Sequence, residues 1–205
     1  PGMIGASDNV KEPGFDFQAA KASIEAVKAK LPADSKLALT LTTIDNPEFT
    51  AVAEFVRQAW SALGIEVTIV TVGVDKLQSE VLKERSYDVL LSGELLGADP
   101  DPYPFWHSSQ VDYPGLNIAL YANRDADKLI EKARAKSDPA ARAEAYQQFQ
   151  ALLDDELPAI FLYQPSYTYA ISSTVKGVEI PAILTPADRF AQINKWYLKT
   201  KRVLR

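Results

Sequence analysis

The sequence predicts an α/β fold with a mainly parallel mixed sheet flanked by helices, and two observations carry that reading. Between residues 37 and 91 the hydrophobic pattern alternates strand, helix, strand, helix, strand. Strands joined by helix-length crossovers pair in parallel, and the crossover helices cover the sheet. The composition agrees: 205 residues, 47% hydrophobic and 24% charged, describe an ordinary globular chain with one sizeable core.

Taken in order, residues 1–14 hold three of the nine glycines and two of the thirteen prolines with no apolar period, which reads as a connecting segment. From Asp16 a helix is expected, because Phe17, Ala20, Ile24, Val27 and Leu31 recur at spacings of three and four, and Pro32 ends it. Leu37, Leu39 and Leu41 alternate with Ala38, Thr40 and Thr42, the two-residue period of a half-buried strand. Asn46 and Pro47 supply a cap and a first-turn proline for a long helix whose stripe is Phe49, Val52, Ala53, Val56, Ala59, Trp60 and Leu63, stopped by Gly64.

Ile65 to Val72 is a β-branched run, Asp75 can cap a shorter helix carrying Leu77 and Val81, and Tyr87 to Leu91 reads as a short strand. After Gly93 comes a loop of about two dozen residues, beyond the roughly 12–15 at which loops tend to become functional or disordered. Its aromatics argue against disorder. Two helices follow, one near Asp125 to Lys136 and one capped by Ser137 or Asp138 with Pro139 in its first turn. AIFLY and YTYAI read as two further strands, and residues 174–198 read as irregular, with Gly177 and Pro181 as breakers.

Composition excludes several function classes. The net charge is −5, and the one basic group is the tail Lys199, Lys201, Arg202 and Arg205, which disfavours nucleic-acid binding. With no cysteine, disulfides, zinc–thiolate sites and cysteine nucleophiles are excluded. There is no 18-residue apolar run and no signal-peptide pattern at the start. The opening at Pro1, with Met3 inside a Gly-rich stretch, suggests a segment of a longer protein.

Three places could carry chemistry. Asp99 and Asp101 lie two apart in ADPDP, between prolines that keep the backbone extended. Converging carboxylates could bind a metal or act as an acid–base pair, but in extended chain they point to opposite sides, and turn capping or solvation is the plainer reading. His107 is the single histidine, and no Gly-x-Ser-x-Gly elbow accompanies Ser108 and Ser109, so packing or hydrogen bonding is favoured over catalysis. No GxGxxG, P-loop or HExxH motif is present. Trp60 sits on a helix stripe and belongs to a core, whereas Trp106, in the long loop, could line a ligand cleft or pack beneath the loop. Lys128, Glu131, Lys132, Arg134 and Lys136 read as the wet face of a helix.

The segments FDFQAAKASI, AEFVRQAWSALGIEV, YDVLLSGELLGADPDPYPFWHSSQ, NRDADKLIEKARAKSDPAARAEAYQQFQALLDDELPAIFLYQP, VKGV and DRFAQINKWY, in this order, resemble the C-terminal lobe of the extracellular solute-binding proteins that serve dipeptide, oligopeptide and nickel ABC importers. The resemblance implies a periplasmic-binding-protein-like lobe over residues 15–205, an inter-lobe connection over residues 1–14, and an N-terminal lobe outside this chain. It implies closure of two lobes on a ligand, a permease partner, no catalysis, no cofactor and no resident metal, and a periplasmic or lipid-anchored extracellular location.

In the peptide binders of this class an Asp after the third strand pairs with the ligand's α-amino group, and backbone at that strand's end pairs with the extended peptide. The resemblance thus nominates Gly93, Glu94, Leu95, Leu96, Asp99, Asp101 and Trp106 as ligand-binding, with Asp99 as the ammonium partner. A peptide or peptide-like cargo is expected. A metal chelate, a sugar or an opine are the other cargoes, and a carboxylate-based α/β enzyme using Glu94, Asp99 and Asp101 or a ligand-sensing regulator domain are the readings from other classes.

Overall fold

The computed structural model describes residues 14–32, 35–94, 99, 101–180, 183 and 185–198. These fall into two compact units, one drawn from Asn9–Glu94 and Pro104–Ala122, the other from Leu95–Tyr103 and Asn123–Arg205.

The first unit begins with α1 (Phe17–Lys28), capped by Asp16, whose Oδ1 accepts from the Ala19 amide at 2.9 Å. The helix ends four residues before Pro32 and buries none of its residues fully; Ile24 packs against the core. Next come β1 (Ala38–Ile44), α2 (Pro47–Ala62), β2 (Glu66–Val72), a helical turn α3 (Val74–Lys76) running into a π-helical stretch Leu77–Leu82, and β3 (Val89–Leu91). The sheet is parallel in the order β2-β1-β3, with Leu41 opposite Ile69 and Val89.

As the central strand, β1 buries three successive residues, Leu41, Thr42 and Thr43, rather than alternate ones. A strand covered on both faces loses its alternation. Thr43 meets the polar cost of burial by donating its hydroxyl to the Leu91 carbonyl at 2.9 Å. Asn46 caps α2 through the Glu48 amide at 2.9 Å, and Gly64, at φ 81°, takes the left-handed conformation that ends it. Leu41, Ala53, Ile65 and Val67 form the core, with Leu39, Val56, Trp60, Ile69 and Leu91 packed around them. Burial of each large aliphatic chain contributes roughly 1.5–3 kcal/mol. Gly73, not Asp75, holds the cap position of α3, which places the Asp75 carboxylate inside the first turn, where the helix dipole favours it.

From residue 101 onward the long loop takes regular turns, a helical turn α4 (Tyr103–Trp106) and a 3₁₀ turn Ser108–Gln110. Asn117, fully buried, fastens the rest: its Nδ2 donates to the carbonyls of His107 at 3.1 Å and Tyr121 at 2.8 Å, and its Oδ1 accepts from the Tyr121 amide at 3.1 Å. Arg85 donates to the Val111 carbonyl at 2.9 and 3.1 Å and to the Gly115 carbonyl at 2.7 Å, while the Tyr87 hydroxyl reaches the Ile118 carbonyl at 2.6 Å. A Cβ at Gly115 would lie 2.1 Å from the Gln110 carbonyl oxygen, so no other residue fits there without moving backbone.

In the second unit α5 (Arg124–Arg134) and α6 (Pro139–Glu156) pack as a hairpin. Asn123 caps α5 through the Asp125 and Ala126 amides, and Asp138 caps α6 through the Ala141 amide. The small residues Ala133 and Ala145 let the helices approach, with Tyr146 completing their cluster. Leu157, at φ 48°, closes α6.

Beyond it the sequence reading is corrected: AIFLY and YTYAI form no strand. Ile160, Phe161, Leu162 and Tyr163 remain exposed. An extended segment becomes a strand only where a partner completes its ladder, and the one described pairing in this unit is the two-residue β4 (Val175–Lys176) with β5 (Tyr197–Leu198), antiparallel. Residues 174–198 are more regular than their composition suggests. Thr185 and Asp188 form a reciprocal cap, and the Arg189 guanidinium lies 4.5 Å from the Phe190 ring centre while donating to the Tyr167 hydroxyl and the Pro186 carbonyl, both at 2.7 Å.

Candidate ligand-binding site

The two carboxylates of the DPD segment go to different helices of the second unit. Asp101 has both oxygens committed. Its Oδ1 accepts from the Tyr103 amide at 3.1 Å, and its Oδ2 lies 3.2 Å from Arg134 Nε on α5. The Arg134 guanidinium in turn stacks 4.2 Å from the Tyr103 ring centre. Asp101 is therefore a capping and pairing residue, with each oxygen already engaged.

Asp99 is placed otherwise. Its Oδ1 accepts from Arg142 Nη2 on α6 at 2.5 Å, its side chain is 59% exposed, and no described residue engages Oδ2. Arg142, only 18% exposed, also donates to the Tyr146 hydroxyl from Nη2 at 2.8 Å and from Nε at 3.2 Å. Its hydrogen bond to Asp99, then that to Tyr146, raises the guanidinium pKa above its ordinary value. Burial pushes the Tyr146 phenol upward as well. A surface carboxylate with one open oxygen, tied through an arginine to a buried tyrosine, can accept a charge-assisted hydrogen bond from a cationic ligand group.

The other nominated residues lie in the first unit or outside the described residues. Gly93 and Glu94 follow β3 and are exposed. Among the described residues none hydrogen-bonds their backbone. Leu95 and Leu96 are outside the described residues. Trp106 is buried, edge-on to Tyr121 with ring centres 6.3 Å apart, in the core beneath the loop. His107 caps the following turn, its Nδ1 accepting from the Ser109 amide at 3.1 Å.

Three residues of this arrangement lie outside the sequence nomination: Arg134, 47% exposed on the wet face of α5 and paired with Asp101, and Arg142 with Tyr146 on α6. The spacing of four between Arg142 and Tyr146 is the available signal for that pair, since such residues share a helix face. Among the described residues no group of three or more His, Asp or Glu side chains could hold a metal ion.

Known proteins agree with this architecture. Residues 1–114 match the family model described as bacterial extracellular solute-binding proteins, family 5 Middle. The oligopeptide-binding protein AppA of Bacillus subtilis is 30% identical over 148 residues, covering 72% of this chain and 26% of AppA. The probable D,D-dipeptide-binding periplasmic protein DdpA of Escherichia coli is 29% identical over 177 residues, covering 80% of this chain and 33% of DdpA. The chain thus spans between a quarter and a third of the length of these relatives. The structure of Bacillus subtilis AppA with a nonapeptide superposes with a TM-score of 0.74 at 25% identity over 97% of this chain and 41% of AppA. Helicobacter pylori DppA with the peptide STSA gives 0.71 at 26% identity over 98% of this chain and 38% of DppA. The α/β lobe is therefore of the periplasmic-binding-protein kind, and the chain belongs to family 5 of the bacterial extracellular solute-binding proteins.

Proposed function

We propose that this chain is the C-terminal lobe of a solute-binding subunit, non-catalytic, which captures a peptide or peptide-like ligand and delivers it to the permease of an ABC importer. The family match carries the reading, and the relatives named for oligopeptides and dipeptides favour a peptide cargo. The rest of the protein, an N-terminal lobe joined to this one through the connection at residues 1–14, supplies the other wall of the binding cleft. The location that goes with this role is the periplasm or, with a lipid anchor, the outer surface of the membrane.

Within the chain, Asp99 takes the ligand's α-ammonium, because it is the carboxylate of the pair with an unengaged oxygen. Asp101, engaged on both oxygens by Tyr103 and Arg134, keeps the segment in place. Separately, the backbone of Gly93 and Glu94 offers main-chain hydrogen bonds, which ignore side-chain identity and give broad specificity. Closure follows from the ligand's preference for the state in which both lobes touch it.

Native mass spectrometry of the longer protein, purified from its own cells, tests this. A ladder of co-purified masses fitting short peptides is expected, and its loss in an Asp99→Asn variant. A single non-peptide mass redirects the cargo, and product formation on incubation defeats the non-catalytic reading.

A further inference from the structure

We infer that Arg142 is a positioning residue, which orients the Asp99 carboxylate toward a ligand ammonium and so sets the preference for ligands with an unblocked amine. The inference rests on the proposed role of Asp99. Its geometry is a relay from core to surface. Tyr146 is 3% exposed and fixed in the α5–α6 hairpin; Arg142, one helical turn before it, is 18% exposed and gives that hydroxyl two hydrogen bonds; Asp99, 59% exposed, receives the third.

An aspartate this exposed samples several rotamers unless something fixes it. Asp101 is fixed by its own backbone neighbour, since its Oδ1 accepts from the Tyr103 amide. Among the described residues Asp99 is held by Arg142, 43 residues away, which fixes its carboxylate from a neighbouring helix. Arg142 binds Oδ1 and leaves Oδ2, so the contact that orients the carboxylate does not consume it.

The arginine is also chemically required. It must donate to Tyr146 and Asp99 at once, and a guanidinium presents its donors in a rigid fork, whereas a lysine ammonium holds the charge on a flexible stem. Losing the orientation leaves Asp99 to meet an ammonium as a mobile, solvated charge. A well-placed hydrogen bond to a charged group is worth roughly tenfold or more in affinity, and an unfixed surface ion pair close to nothing.

The test uses the longer protein, a pool of tripeptides with free amines, and the same pool N-acetylated, competed in native mass spectrometry. For the wild type a free-amine preference of about tenfold or more is expected. In Arg142→Gln this ratio should fall toward one, and Arg142→Lys should recover part of it. In an Asp99→Asn background, where the preference is already lost, Arg142→Gln should move it no further. Amide exchange across Asp99 and Asp101 should quicken in Arg142→Gln, with the melting temperature as the check that the fold survives.

An unchanged ratio, or unchanged exchange, in Arg142→Gln overturns the positioning role even if peptides bind well. If the wild type takes up neither pool, the peptide reading fails by itself and exchange alone judges Arg142: quickened, it orients Asp99; unchanged, it does not.

Discussion

The sheet of the first unit and the stretch after α6 in the second begin from similar sequence and end differently. Both β1 and the run AIFLY are short and rich in apolar and β-forming residues. β1 lies between β2 and β3 and buries Leu41 to 1% exposure, while Ile160 stays 67% exposed in a chain that pairs with no described strand. What separates them is the partner. The crossover helices bring β2 and β3 to β1 within 55 residues, whereas a partner for residues 159–171 is not found among the described residues. Hydrophobic pattern marks a segment as capable of forming a strand, and the ladder decides whether it becomes one.

The largest effect that would break this comparison is in the sheet. Leu41→Ala should cost about 3 kcal/mol, the transfer and cavity loss of a large aliphatic chain in a closed core. Urea unfolding in a Trp196→Phe background reads it, because Trp60 and Trp106 then report on the first unit alone. A loss below about 1 kcal/mol would mean that this core is no tighter than the exposed stretch.

Asn117→Ala comes next, at about 2 kcal/mol, since it leaves the carbonyls of His107 and Tyr121 and the Tyr121 amide without their buried partner. The same measurement follows it. Amide exchange at Tyr121 should quicken as well, and an unaltered Tyr121 amide would show that the loop is held without Asn117.

Asn46→Ala removes only the cap of α2, a contact at the edge of the unit, and should cost about 1 kcal/mol. Asn46→Ser, which keeps a capping oxygen, should restore most of that midpoint. Failure of the restoration would assign the effect to something other than the cap.

These three effects differ in how readily the sequence announces them. The cap Asn46, and Asp138 as one of two candidates, were legible because capping is local: the side chain meets an amide two or three residues on. Gly64 was legible for the same reason, as a stop at the end of an amphipathic run. The strand order follows from crossover length, which one segment at a time can show. The Asn117 hub and the Arg85 fork were not legible, since Arg85 reaches carbonyls 26 and 30 residues away and any loop asparagine looks alike in sequence. The candidate site divides in the same way. ADPDP draws attention by its own spacing, but which aspartate is saturated is decided by Arg134 and Arg142 on helices further along the chain.

The smallest expected effect sharpens the comparison most. In this 205-residue chain Ile160→Ser should change stability by no more than about 0.5 kcal/mol, because the side chain already meets water. In the longer protein proposed above, the same substitution should cost about 1–2 kcal/mol if the exposed run completes a sheet there, since burying an aliphatic side chain is worth that much. Denaturant midpoints of both proteins, each with and without the substitution, give the two numbers. A near-zero effect in both would leave the run a surface segment of the whole protein, and its apolar character would then need an occupant other than a neighbouring strand. A large effect in the short chain would mean that Ile160 is buried already, and that the two regions differ in pairing but not in packing.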